Sequence, residues 1–393
     1  MPPKIGVEQR RARLGVRHHL ATSAATVGDA VAGVVALHAT DPATVHLSAA
    51  ARLGRPAVAE VERALYEERT VLRLLGMRRT VFVTDLETAA LVQHGCSEDV
   101  AAKQRRLLVQ QLARQGHPDD VPEPEKWLAE VERATEGVLR GLGSATAQQL
   151  SAAEPRLRQQ LKLFPGKPYE ATSYVTSRVL FQLAAEGRIV RGRPRGTWLS
   201  TQYVWHALRD WIPDGLRPWE PDAARVELAR SWLRAYGPAP VSDLRWWTGW
   251  TVGRTRKALA GLATVEVDLA GVAGVVLQDD VEPVSTPEPW AALLPSMDPT
   301  PMGWQDRDWF LGEHKAALFD RAGNVGPTVW ANGRVVGGWA QRSTGEVVYR
   351  LLEEVSAEEQ ERVDEAAERC STWLGGVGVV PRMRTPLERE LAG

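Results

Sequence analysis

Apolar residues recur with helical spacing over 26–37 (TVGDAVAGVVAL), and that spacing predicts a helix. Asp41-Pro42 follows, a cap and a first-turn proline for a second helix over 43–50. VAEVERALYE (58–67) predicts a third, and VLRLLGMRRTVFVT (71–84) two strands turning near Met77–Arg79. The order then returns. SATAQQLSAA reads as a capped helix from Ser144, 169–187 as a long helix closed by Gly187, and RIVRGRPRGTWLS (188–200) as strand, Gly/Pro turn, strand. A third round has an amphipathic helix over 222–237, a short helix over Val241–Thr248, a basic helix over 252–262 and a hairpin over 265–278.

Helix, short helix, basic helix and hairpin is the order of a winged helix. The chain therefore divides into winged-helix units over 8–95, 144–205 and 220–280, with a helical connector over 96–143. After a proline-bearing linker (281–290) the pattern turns to strands. It includes a hairpin turning at Asn332-Gly333, a charged helix over 356–374 and a last strand over 375–383, a β-rich unit spanning 285–382. The fold class is α+β. The repeat rests on element order, because the three units share no clear residue-level similarity.

Composition alters this picture little. The 393 residues carry a net charge of −1, and 44% of them are hydrophobic. No apolar run is long enough for a membrane span, and the polar, basic N-terminus has no secretory h-region, so a cytoplasmic, nucleoid-associated protein is expected. Cys96 and Cys370 stand far apart without metal-ligand spacing, which argues against a disulfide framework or a zinc site. Charge distribution says more. Residues 156–195 hold nine cations against two anions, while the C-terminal helix region carries an acidic block at Glu353, Glu354, Glu358, Glu359 and Glu361. That asymmetry suggests a face for phosphates, with a solvated basic surface as the plain alternative. Arg79 and the hairpin arginines Arg191, Arg193 and Arg195 are the candidate phosphate contacts, with Arg254 on the third basic helix. Period-two geometry would send the hairpin three to one side. The Trp-rich stretch 246–250, in a chain with 15 Trp, reads as packing between units more readily than as a base-stacking platform.

Several strings, in order, carry a resemblance: LHATDPATV (37–45), MRRTVF (77–82), GRPRGTW (192–198), DLRWWTGW (243–250), LPSMDPTPMGW (294–304) and GRVVGGW (333–339). Together they resemble the AlkZ-like winged-helix proteins over roughly residues 8–382. The resemblance implies a C-shaped molecule whose three winged helices and β-rich unit line a DNA-sized concavity. It also implies cleavage of the N-glycosidic bond of alkylated purines, in some members at interstrand crosslinks made by genotoxic natural products. The family's catalytic signature is Gln-Φ-Gln, with variants that have His first or Asp last, at the end of a first-unit helix. The match here is His38-Ala39-Thr40, which departs from the pattern at its last position.

An N7-alkylated purine is already cationic and leaves readily, so the protein need only position water and stabilise an oxocarbenium-like sugar. His38 would orient water or act as base near neutral pH, and Thr40 would donate and accept one hydrogen bond each. The plain alternative for His38 is a packed histidine. Asp41 is a weaker catalytic candidate, since Asp before Pro usually caps a helix. Asp298 is another, in a string typical of the family. His18 and His19 have no partners evident in the sequence. The expected activity is that of a monomeric, monofunctional DNA glycosylase on double-stranded DNA, without metal or cofactor, in repair or genotoxin resistance. The alternative is a non-catalytic winged-helix DNA-binding protein or regulator.

Overall fold

Residues 1–54, 57–114, 121–163 and 166–393 are described in the computed structural model. Helix Val27–Ala32 opens with a capping box between Thr26 and Asp29. It stops at Gly33, five residues short of the expected helix end, because Leu37 and His38 are recruited into a sheet. The Asp41 carboxylate then accepts the Ala43 N–H at 3.1 Å and Pro42 takes the first helical position, so the chain re-enters helix over Pro42–Ala50. Helix Val58–Tyr66 follows, and then strands Val71–Leu75 and Val81–Asp85. The short strand Leu37–His38 pairs with the second hairpin strand, giving a three-stranded antiparallel sheet.

This connectivity recurs. Ala145–Thr146 pairs with Tyr203–Ala207, which pairs with Ile189–Pro194. In the third stretch a single bridge, Ala239 to Val275, stands where the short strand would be, beside the hairpin Thr264–Leu269 and Val272–Leu277. Helices precede and separate these strands in each case: Pro124–Leu142, Ala147–Ala153 and Thr176–Ala185, then Pro221–Tyr236, Val241–Thr248 and Val252–Ala260.

Four expectations change here. The cap of the 147–153 helix is Thr146, not Ser144, since Thr146 and Gln149 exchange side-chain and backbone bonds. The expected long helix over 169–187 is split. Ala171–Tyr174 pairs with Gln160–Leu163, and the helix begins only at Thr176. Thr172 and Tyr174 suit a pleated surface better than a first helical turn. The second strand of the arginine hairpin is Tyr203–Ala207, leaving 195–202 as its loop. The last expected strand, 375–383, is irregular. Gly375 and Gly376 are left-handed (φ 55° and 84°), and the Gln341 side chain takes the bonds a ladder would make, to the Val377 carbonyl and the Val379 N–H.

The C-terminal part is a four-stranded antiparallel sheet in chain order: Ala291–Leu294, Thr328–Ala331, Arg334–Gln341 and Val347–Leu351. Helix Ala357–Leu374, capped by Ser356, packs on it. One continuous core joins the first stretch, the third and this sheet, running from Leu14 to Leu391, with Trp232, Trp304 and Trp330 at its centre. The second stretch and the helices Glu98–Leu112 and Pro124–Leu142 have a core of their own, from Leu108 to Trp205. The helix Val7–Arg17 is fastened far along the chain. Arg13 and Arg17 share the Asp280 carboxylate, and His18 bonds Thr300 Oγ1 at 2.9 Å and the Ala235 carbonyl at 3.1 Å.

Candidate active site and DNA interface

His38 lies in the short strand, opposite Phe82, rather than at a helix end. The Ala39 N–H continues the pairing to the Val81 carbonyl at 2.8 Å. Leu37, His38 and Ala39 are all buried, and Thr40 is half-buried where the chain bends away. The His38 ring sits edge-on to Phe82 at 5.1 Å. Its Nδ1 is buried with no hydrogen-bond partner among the described residues. Burial, reinforced by the Arg78 guanidinium, lowers its pKa to about 3. His38 is therefore neutral at pH 7, a hydrogen-bonding group and a weak base, which corrects the expectation of a base titrating near neutrality.

Asp41 is engaged on both oxygens. One accepts the Ala43 N–H, the other the Arg382 N–H at 2.9 Å, while Arg382 Nη1 reaches the Thr40 carbonyl at 3.3 Å. The residue is a cap and a tie to the C-terminal segment. Asp298, the other weaker candidate, is likewise held within the fold. It is fully buried in a bidentate pair with Arg52 at 2.8 and 2.9 Å, itself fully buried, and accepts the Thr300 N–H. That pair, with Thr300 and His18, fastens the first stretch to the loop between the first two strands of the C-terminal sheet.

The arginines do not share one side. A bulge between Arg191 and Pro194 breaks the alternation on which that expectation rested. Arg191 is half-buried against the rings of Tyr203 and Trp205, at 5.3 and 5.2 Å. Arg193 is exposed but held by Glu62 and Glu67 at 2.8 and 3.0 Å. Arg195 is exposed, and its guanidinium bonds Gln149 at 3.2 Å. Arg79 is exposed at the turn of the first hairpin, and Arg254 pairs with Asp99 at 2.9 Å. Trp247 and Trp250 are buried as packing residues, whereas half-buried Trp246 carries the Arg78 guanidinium on its ring.

Sequence reading missed Arg78, Arg382 and Arg73. Arg78 was visible beside Arg79 but not singled out. Arg73 interrupts an apolar strand, a position that alternation sends to solvent, yet it is 3% exposed, bonded to the Tyr66 hydroxyl and set against the Tyr203 ring. No cluster of three or more His, Cys, Asp or Glu able to hold a metal occurs among the described residues, and no helix among them is long and apolar enough to cross a membrane.

The family described as DNA glycosylase AlkZ-like matches residues 31–373. The chain belongs to the AlkZ-like DNA glycosylase family. Its fold is that of the Streptomyces sahachiroi DNA glycosylase AlkZ, with a TM-score of 0.74 and 22% identity, over 94% of this chain and 97% of that one. An interstrand DNA cross-link repair glycosylase from the same organism is 30% identical over 171 residues, which are 41% of this chain and 45% of the relative. The sequence match thus spans less than half of that relative. The AlkZ-like region takes in the His38–Thr40 segment, both arginine-bearing turns and Asp298; it leaves out helix Val7–Arg17 and Arg382.

Proposed function

We propose that this protein is a monofunctional DNA glycosylase that removes cationic, N7-alkylated purines from double-stranded DNA, with His38 and Thr40 facing the lesion. Bulky adducts and crosslinks fall within the same chemistry. The observation that carries the reading is His38. It occupies the first position of the family motif and presents a buried, neutral ring whose Nδ1 has no partner among the described residues. A buried polar atom without a partner is rare and is suited to a ligand or a water.

The reaction asks little of these groups. The C1′–N9 bond breaks, its electron pair neutralises the positive purine, and water adds to C1′ and loses a proton to solvent. His38 accepts a hydrogen bond from that water and Thr40 holds it, so both act by positioning. Three winged helices, over 8–95, 144–205 and 220–280, are the proposed scaffold. The 96–143 connector and the β-rich unit (285–382) complete a C-shaped surface for duplex DNA. The repeated pairing of a short first strand with the last hairpin strand supports that reading. Exposed Arg79 and Arg195 are the proposed phosphate contacts; Arg191, Arg193 and Arg254 are already engaged within the chain. The enzyme would work as a monomer at the nucleoid, in repair or genotoxin resistance.

Incubation with a duplex carrying N7-methylguanine, followed by detection of abasic sites, tests the activity. Cleavage is expected there and not at uracil, a neutral base that carries no driving force of its own. Thr40 favours one other reading: its side chain is shorter than Gln and a poor base. Tight duplex binding with no abasic sites on any alkylated substrate would make the protein a non-catalytic DNA binder.

A further inference from the structure

Arg78, at the turn of the first hairpin, and Arg307, just ahead of helix Asp308–Leu311, meet on one aromatic ring. Their guanidinium carbons lie 4.2 and 5.0 Å from the centroid of Trp246. Arg78 is exposed, Trp246 is half-buried and Arg307 is 9% exposed. Neither arginine has an ion-pair partner among the described residues. Arg307 Nε is buried and unbonded, and Nη2 reaches only the Met302 sulfur, at 3.7 Å. Burial and the like charge of Arg78 hold the Arg307 pKa down to about 10. Asp243 offsets part of this without an ion-pair contact to Arg307: its Oδ1 accepts the Gln305 and Asp306 N–H groups, its Oδ2 is buried with no partner among the described residues, and burial pushes its carboxyl up to about 6.

Desolvated guanidiniums are normally matched by an anion, since burying an unpaired charge is costly. Here buried Arg307 and exposed Arg78 converge with no ion-pair partner for either among the described residues. The backbone is bent to bring them together. Arg78 and Arg79 are both left-handed (φ 53° and 65°), a conformation disfavoured for such residues. A Cβ at Gly249 (φ 74°) would lie 3.0 Å from Arg78 Cγ, so only glycine lets the end of helix Val241–Thr248 press against this turn. Arg78 stands in the turn that leads into strand Val81–Asp85, whose Phe82 pairs with His38, so the turn belongs to the motif's own sheet.

We propose that Arg78 and Arg307, gathered on Trp246, clamp one backbone phosphate of the substrate DNA beside His38. The proposal rests on the glycosylase reading and adds to it the phosphate contact that sets the register of the lesion sugar. Arg307 approaches from the protein side and Arg78 from the solvent side, and the diester's single negative charge relieves the repulsion between them. Both are positioning residues.

The test combines salt dependence of duplex binding with neutral-backbone substitution. Arg78→Gln and Arg307→Gln should each flatten the slope of log K against log[salt] by about one unit, the share of one phosphate. The double variant should also lose about one unit, because both groups serve the same phosphate. Additive loss of about two, or no loss, overturns the clamp. Arg307→Lys should keep the slope, which separates charge from folding; thermal melting of every variant checks folding independently. In a methylphosphonate scan, one position beside an N7-methylguanine should weaken wild-type binding and leave the double variant indifferent. If inorganic phosphate raises the wild-type melting temperature, the double variant does not respond, and no methylphosphonate position matters, the site holds a free anion and the DNA clamp is overturned. Binding that shows these signatures without excision would sink the glycosylase reading and keep the clamp. Excision with an unchanged slope would do the reverse.

Discussion

His38 carries the largest mechanistic demand on any one side chain. His38→Ala should cut excision of a cationic lesion by on the order of 10²–10⁴-fold with duplex affinity nearly intact; single-turnover rates against wild type decide it, and equal rates remove the site. Thr40→Gln should preserve or raise the rate. Its burial also makes His38 a stability sensor. The unfolded chain takes up a proton below the ordinary histidine value of 6.5, while the folded one waits until about 3. Stability from this group is thus full above pH 6.5 and falls as pH drops, by about 1.4 kcal/mol per unit. His46, lowered to about 4 by burial, adds a similar slope over a narrower window. His38→Gln should make the decline between pH 6 and 4 shallower by about that amount in urea titrations, and an unchanged slope would show that folded His38 takes up the proton after all. Residue roles were legible where the cause was local. Asp41 reads as a cap because its partner is two residues away. Asp298 does not read as structural, because its partner Arg52 is 246 positions off.

Hairpins and helices were legible to the extent that period and punctuation agree. The pair 264–269 and 272–277 and the Asn332-Gly333 turn fall where alternation and turn residues place them. The arginine hairpin was located but misdrawn. A bulge between Arg191 and Pro194, at a Gly and a Pro that weaken regular pairing, broke the alternation, and Arg191 lies against the Tyr203 and Trp205 rings. This redistributes the expected effects. Arg195→Ala should flatten the salt slope of duplex binding by about one unit. Arg191→Ala should instead lower stability, by roughly 0.5–2 kcal/mol for lost ring contacts, with little change in slope. Denaturant melts paired with binding at several salt concentrations separate the two; a slope change at Arg191 alone would reverse the assignment. The 169–187 stretch was misread as one helix because helical spacing in its second half was extended over residues that pair as a strand.

Across the whole molecule, element order conveyed the repeat, but not how the pieces share their interior. The first and third stretches and the C-terminal sheet have a common core, while the second stretch keeps its own. The Arg52–Asp298 pair crosses that common core, so Asp298→Ala should cost about 3–5 kcal/mol by stranding a buried guanidinium. Differential scanning calorimetry will show it, and a shift within error would mean the pair is dispensable. With no metal-ligand spacing in the sequence, excision should survive EDTA; loss restored by zinc or magnesium would contradict this. The fastening of helix Val7–Arg17 bears on how the chain is made. Its partners Ala235, Asp280 and Thr300 are translated long after it. At about 5–20 residues per second, the helix waits on the order of tens of seconds for these hydrogen-bond and ion-pair partners. The core that the second stretch shares with helices Glu98–Leu112 and Pro124–Leu142 is meanwhile complete once residue 205 has been added. In a fragment ending at residue 215, amide exchange should therefore find 144–205 better protected than 7–17, so a segment made before the second stretch acquires its native contacts after it.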